Sequence, residues 1–395
     1  MTTYLIDGAR TAYGTFGGAL KNTSEMELGV VAAKEAIARS GVPAQDIDEI
    51  IFGNIIQTTK DSAYLARHIG LKSGMAEESS ALTLNRLCGS GLQSIVSGAQ
   101  SIASGDAQVV VAGGTENMSL APHVLRGTRF GSPGKAPLID DMLWETLMDN
   151  HAGCGMGMTA ENLAEKYSIS REEQDEFAVA SQAKASKARE SGRFAEEIAA
   201  VTLRGRKGED VIFDQDEHIR EGTSMESLAK LKPAFKKEGT VTPGNSSGIN
   251  DGAAAVVLAS EEYVNSNKLK PLAKVVSWGI AGVDPTIMGI GPVPASKKAL
   301  AKVGLTLDDI GLFELNEAFA AQSLAVLKEL GIPQEKVNVN GGAVALGHPV
   351  GSSGARVAYS LALEMKKQGV KYGLATLCIG GGQGIAVILE NPEAA

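Results

Sequence analysis

The sequence predicts an α/β fold of two related halves, each a parallel or mixed sheet covered by helices, with an insertion in the first half. Three observations carry this. Short β-rich runs alternate with helical runs along the chain. Residues 36–54 and 299–317 repeat one pattern. Two strands that follow each other directly in the second half are separated in the first by roughly 130 additional residues.

The repeat sets "AIARSGVPAQDIDEIIFGN" against "ALAKVGLTLDDIGLFELNE", so that Ala36, Gly41, Asp46 and Ile47 fall on Ala299, Gly304, Asp309 and Ile310, an offset of 299 − 36 = 263. The same offset carries Ser90-Gly91 onto Ser353-Gly354. Two blocks in one register imply a duplication whose halves pack about a pseudo-twofold axis. After the first Ser-Gly, the spacing of Leu92, Ile95, Val96, Ala99 and Ile102 predicts a helix ended by Gly105. A strand follows in each half, "AQVVVAGG" and then "YGLATLCIGGG". The second half runs on through Gly382-Gln383-Gly384 into "IAVILE", whereas the corresponding "AAAVVLAS" begins only at Ala253. The implied units are 1–118 with 250–269, an insertion over 119–249, and 270–395. That insertion carries the Pro/Gly segment "RFGSPGKAP", an amphipathic helix from Arg171 to Arg189, and the basic stretch "LAKLKPAFKKEG".

A chain of 395 residues with net charge −9 argues against general nucleic-acid binding, so an anionic ligand would need a local basic patch. No apolar run reaches membrane-spanning length, and "MTTYLIDGARTAYG" lacks the apolar core of a signal peptide. Three widely spaced cysteines, without a C-x-x-C pair, favour a reducing compartment over a disulfide or zinc framework. The expected location is therefore the cytoplasm. His68, His123 and His218 read as ordinary surface or core residues.

One of those cysteines stands in "TLNRLCGSGLQ". Cys88 could be a small packed hydrophobe. Its place ahead of a helix, among glycines, instead suits a nucleophile, because the positive helix end favours a thiolate. Three further segments end strands in the second half: Asn316-Glu317-Ala318-Phe319 after "LFEL", His348 between Gly347 and Pro349, and Cys378 in "ATLCIGGGQG". Alone, His348 reads as a turn residue and Asn316 as a helix cap. Together at glycine-flanked strand ends they read as a site.

In order and spacing, "CGSG", "NSSGINDGAAA", "NEAFA", "NGGAVALGHPVGSSGAR" and "CIGGGQG" resemble the signature segments of the thiolases, of the acetyl-CoA acetyltransferase type. The resemblance spans essentially the whole chain. It implies two duplicated βαβαβαββ-type halves in a layered α-β-α-β-α sandwich, with an inserted loop domain for coenzyme A binding and oligomer contacts. It implies a Claisen condensation of two acetyl-CoA and the reverse thiolysis, through an S-acyl-cysteine. Cys88 would be the nucleophile, His348 its proton acceptor and Cys378 the second acid/base. One oxyanion site would be His348 with a water held by Asn316, the other the backbone N–H groups of Cys88 and Gly380. Arg220 and Ser227 would meet the nucleotide, with Lys230 and Lys232 adding charge. Ser247, Ala318 and Phe319 would line the pantetheine tunnel, and Met156 and Met288 the acyl pocket. The implied partners are acetyl-CoA, CoA and 3-ketoacyl-CoA, with no nucleic acid and no membrane. A homo-oligomer, dimer or tetramer, is implied, and neither metal nor redox cofactor.

One position departs from the pattern. Where many biosynthetic members carry a histidine before "MGxTAEN", this chain has Gly155, preceded by Cys154, which reads as packing. His151 is the nearest substitute. A thiolase preferring longer 3-ketoacyl chains is thus an alternative. A β-ketoacyl synthase would place histidine or asparagine at Cys378, and an inactive acyl-CoA-binding protein would not keep all four reactive positions intact.

Overall fold

The computed structural model describes residues 2–131, 134, 136–205 and 207–394; part of "RFGSPGKAP" lies outside them. Nine strands form the main path of the sheet: β1 (Thr3–Thr11), β2 (Glu49–Gly53), β3 (Ser80–Leu84), β4 (Val109–Asn117), β5 (Asn250–Ser260), β6 (Ala273–Gly282), β7 (Leu312–Leu315), β8 (Tyr372–Ile379) and β9 (Gln383–Glu390). Their order is β7-β8-β9-β6-β1-β5-β4-β2-β3. Outward from the β6–β1 junction the order is mirrored: β9 matches β5, β8 matches β4, β7 matches β2. The pairings match too, since β2–β4 and β7–β8 are parallel whereas β4–β5 and β8–β9 are antiparallel. Starts of equivalent strands keep the sequence offset, 312 − 49 = 263 and 372 − 109 = 263. The halves meet through three antiparallel pairs, Thr3–Val275, Tyr4–Lys274 and Leu5–Ala273.

β4 and β5 are buried along their whole length, as strands covered on both faces must be. Helix α1 (Glu25–Ser40), started by the Ser24/Glu27 capping box and stopped by Gly41 in the left-handed region, covers the outer face of the first half with α2 (Leu65–Lys72). Between the half-sheets lies α3 (Ser90–Ser104), whose predicted apolar stripe is buried. From the insertion come α4 (Met156–Lys166), α5 (Arg171–Glu190) and the short α6 (Met225–Ala229). Helix α7 (Pro292–Ala301) covers the outer face of the second half, and α8 (Ala320–Leu330) packs against α4, α5 and α7. The second central helix is α9 (Ser353–Gln368), in contact with α3 and with strands of both halves. The layers are therefore α-β-α-β-α, as the sequence implies.

The central layer closes on two glycines. A Cβ on Gly91 would stand 2.6 Å from Ala355 N and 2.9 Å from Gly351 O. One on Gly354 would run into Leu92 N and the Gly91 carbonyl carbon. The first turns of α3 and α9 thus touch backbone to backbone at the point that the duplication marks. Overpacking in such a place costs about 1–3 kcal/mol, with no flexible side chain to give way. Gly354→Ala should accordingly lower the thermal midpoint by several degrees; an unchanged midpoint would show that the crossing has slack.

Candidate active site

The turn before α3 presents Cys88. Ser90 Oγ accepts from Arg86 N (2.8 Å) and donates to the Leu87 carbonyl (2.7 Å), tying the turn from inside. Leu87 is held at φ 46°, an uncommon conformation for a non-glycine residue and a local cost of about 1–3 kcal/mol. Gly89 allows the turn to close on the second half, because a Cβ there would meet Ile379 Cδ1 at 2.5 Å. The backbone N–H groups of Gly380 and of Cys88 itself face the sulfur and favour its thiolate, but burial outweighs them and pushes the thiol pKa up. This corrects the expectation of a helix-stabilised thiolate. The half-buried Cys88 packs among Ile56, Met118, Leu143 and Val350, and that apolar surround dominates.

His348 is buried and follows Gly347, whose φ of 96° and whose contact with the Asn250 amide leave no room for a side chain. Asn250 Oδ1 accepts from His348 N at 3.0 Å. The ring Nδ1 lies 2.6 Å from Ser353 Oγ, which donates to the Pro349 carbonyl at 3.0 Å. With that hydroxyl proton committed, the geometry assigns the ring proton to Nδ1 and leaves the Nε2 lone pair available. Burial, and then Arg356, lower the imidazole pKa to about 3, so His348 is neutral at rest. Asn316 Nδ2 stands 3.4 Å from Nε2, while its buried Oδ1 has no partner among the described residues.

Cys378 is the penultimate residue of β8, opposite Gly384, and is fully buried. Burial and then the neighbouring Cys88 push its thiol strongly up. Of the glycines that follow, Gly380 faces the Cys88 sulfur, whereas Gly381 and Gly382, both at φ 82°, make the turn into β9. Behind Cys88, Glu116 is fully buried and accepts from Ile55 N, Ile56 N, Gly351 N and Asn54 Nδ2. Burial raises it to about 8 despite these donors. It joins the loop after β2 to the loop after His348.

A cavity of about 820 Å3 opens from Cys88 and His348. Met156 and Met288, then Ser247, Ala318 and Phe319, and Arg220 also line it. Gly380 lines a smaller recess of about 20 Å3 that shares Cys88. Asn316 and Cys378 are buried and do not line the large cavity. The structure does not bring Ser227 to the cavity: it is exposed and lies in the first turn of α6, where it completes the capping box of the N-cap residue Ser224. Lys230 pairs with Glu226 at 2.8 Å, and Lys232 is exposed. Gly155 lines the cavity with ordinary φ (−76°), but His151 is exposed and does not line it, so it is no substitute. Cys154 is half-buried, paired with Asp149 on a two-residue strand.

Among the cavity residues that sequence reasoning missed are Trp144, Phe235 and His218. Phe235 lies edge-on to Phe319 at 6.2 Å between ring centroids. His218, expected to be an ordinary residue, lines the cavity as well. The basic "KLKPAFKK" context of Phe235 was the available signal, since an aromatic among cations is a common ligand surface. Nothing in sequence singled out Trp144.

A family model for the thiolase N-terminal domain matches residues 3–262, and one for the thiolase C-terminal domain matches 269–391. An acetyl-CoA acetyltransferase of Syntrophomonas wolfei is 53% identical over 391 residues, 98% of each chain. A mitochondrial 3-ketoacyl-CoA thiolase of Mus musculus is 51% identical over 389 residues, again 98% of each. The crystal structure of human mitochondrial 3-ketoacyl-CoA thiolase in complex with CoA superposes with a TM-score of 0.95 at 48% identity, covering 99% of this chain and 98% of that one.

A protonated thiol beside a neutral imidazole has a kinetic signature. The rate of Cys88 alkylation by iodoacetamide should climb with pH through and beyond the ordinary thiol range near about 8.5, without a plateau around neutrality. A rate already maximal at neutral pH would indicate a preformed thiolate–imidazolium pair.

Proposed function

The chain belongs to the thiolase family of acyltransferases, and on that premise we propose that it condenses two acetyl-CoA to acetoacetyl-CoA plus CoA and catalyses the reverse thiolysis. The observation that carries this reading is the convergence of two amide N–H groups on the Cys88 sulfur, with the unprotonated Nε2 of His348 in a ring that lines the same cavity as Cys88.

In the forward direction, Cys88 Sγ attacks the acetyl carbonyl while His348 Nε2 takes its proton. The carbon–sulfur bond to coenzyme A then breaks, and CoA leaves as a thiol with the proton of Cys378, while His348 keeps the proton of Cys88. The Cys378 thiolate next removes an α-proton from the second acetyl-CoA, and the resulting carbanion attacks the S-acetyl group. Breaking the Cys88 S–C bond frees acetoacetyl-CoA, and His348 returns its proton to the Cys88 thiolate, so that both thiols are neutral again. Oxyanions form twice. The N–H groups of Cys88 and Gly380 suit one, and protonated His348 with a water on the unpaired Asn316 Oδ1 suits the other. This chemistry needs neither metal nor redox cofactor.

One feature supports a short acyl chain. The recess beside Cys88, walled by Ile55, Leu87, Leu147 and Val350, is only about 20 Å3, room for about one methyl-sized group. In thiolysis the shortened acyl chain sits on this same sulfur, so acetoacetyl-CoA fits best. The longer-chain alternative draws on Gly155 and on the flexible Met148, Met156, Met158 and Met288 around the larger cavity.

The insertion, 119–249, supplies Arg220 for the nucleotide. Exposed Leu125, Leu138 and Ile139, on and beside its hairpin strands His123–Arg126 and Leu138–Asp141, support oligomer contacts, as dimer or tetramer. No helix among the described residues is long and apolar enough to cross a membrane. We place the protein in the cytoplasm, where its three thiols would stay reduced.

Two experiments test this reading. Cys88→Ala should take up no label from radiolabelled acetyl-CoA, whereas Cys378→Ala should still be labelled yet lose turnover; equal labelling of both would refute the division of roles. Gly155→His is sterically open, because a Cβ there meets only Leu147 O at 3.5 Å. The added ring should shift relative kcat/KM towards acetoacetyl-CoA over the six-carbon 3-ketoacyl-CoA by several-fold, about 1 kcal/mol. A constant ratio in the folded variant would remove this position from chain-length selection.

A further inference from the structure

A second histidine in the cavity has no role in the chemistry above. His218 is only 9% exposed, yet it lines the cavity between Arg220 and the Ser247–Gly248 backbone. Its Nδ1 is sealed without a hydrogen-bond partner, against Gly248, where a Cβ would collide with the ring. Its Nε2 also lacks a protein partner among the described residues and is the ring nitrogen left to meet a ligand. Buried polar groups are normally paired, and leaving one unpaired is costly.

The segment that carries this ring is clamped. Asp216 is held bidentately by Arg10 at 2.7 and 2.8 Å and accepts from Tyr13 N at 2.8 Å. Glu217 N donates to the Tyr13 carbonyl at 2.9 Å, and Arg220 N to Gln182 Oε1 at 2.8 Å. Such a frame leaves the ring little freedom to turn away in search of a partner.

We propose that His218 binds the pantetheine arm of the coenzyme A thioester, through a hydrogen bond between Nε2 and the amide nearer the nucleotide. This rests on the thiolase reading. Burial, and then Arg220, lower the ring's pKa to about 4, so it is neutral where the enzyme works. A neutral ring is a poor match for phosphate, which suits Arg220 instead. It is equally poor for acyl methylenes, which would leave it unpaired. An amide offers both a carbonyl and an N–H, so it satisfies Nε2 in either tautomer. The position two residues from Arg220 selects the outer amide over the one beside the sulfur.

The test uses acetoacetyl-CoA, acetoacetyl-pantetheine and acetoacetyl-N-acetylcysteamine, the last retaining only the amide beside the sulfur. His218→Phe should raise KM for the first two about 3- to 10-fold with kcat held within about twofold, leave KM for the third nearly unchanged, and be largely restored in His218→Gln. Equal KM values for His218→Phe and wild type would mark the ring as packing, and a matching rise for the truncated thioester would mark it as a general support; either overturns the proposal. A wild type that fails to cleave acetoacetyl-CoA would defeat the underlying reading instead. Independently of any variant, a crystal structure of the wild type with CoA should place Nε2 within about 3.2 Å of the outer amide; a ring turned away from the arm overturns the proposal even if no variant folds.

Discussion

The structure depends on a backbone contact between the first turns of α3 and α9. Glycine at 91 and at 354 lets two helix starts from opposite halves approach more closely than any side chain allows. From that crossing the reacting groups take their positions: Cys88 sits just before one helix, and His348 five residues before Ser353 at the start of the other. The serines at the duplicated positions have diverged in use. Ser90 Oγ ties the Cys88 turn to itself, while Ser353 Oγ holds the His348 ring. One ancestral feature thus orients the proposed nucleophile in the first half and the proposed base in the second.

The crossing also fixes the electrostatics, because it buries both groups. Burial is the largest influence on Cys88, on Cys378 and on His348, and in each case it favours the uncharged form. The resting site is a set of neutral groups ringed by donors already aimed at the sulfur. In the proposed reaction charge appears only as the acyl group is transferred, where the amides of Cys88 and Gly380 would stabilise it without reorganising. The strained Leu87 and the left-handed Gly347, Gly381 and Gly382 are the local cost of holding the geometry.

Much of this was legible in the sequence. The offset that relates Ser90-Gly91 to Ser353-Gly354 recurs in the starts of β2 and β7 and of β4 and β8, and the stripe from Leu92 to Ile102 is buried as its spacing implies. Patterns that repeat, or that combine several reactive residues, survive translation into space. What escaped depends on neighbours distant in sequence. The thiol of Cys88 is raised by an apolar surround drawn from Ile56, Met118, Leu143 and Val350, so its position ahead of a helix gave the wrong sign. His218 looked unremarkable because its significance lies in what it fails to contact. Ser227, alike in type to Ser247, completes a capping box with the N-cap residue Ser224, a distinction that local sequence could have supplied through the three-residue spacing.

Whether a neutral thiol–imidazole pair is held ready at the crossing can be read directly from the protonation of His348. Nitrogen NMR of protein labelled at its five histidines, with His348→Asn identifying the signal, reports charge and tautomer together. The ring should be neutral and protonated at Nδ1 throughout the neutral pH range. An imidazolium signal there, or a ring protonated at Nε2, would contradict the neutral pair.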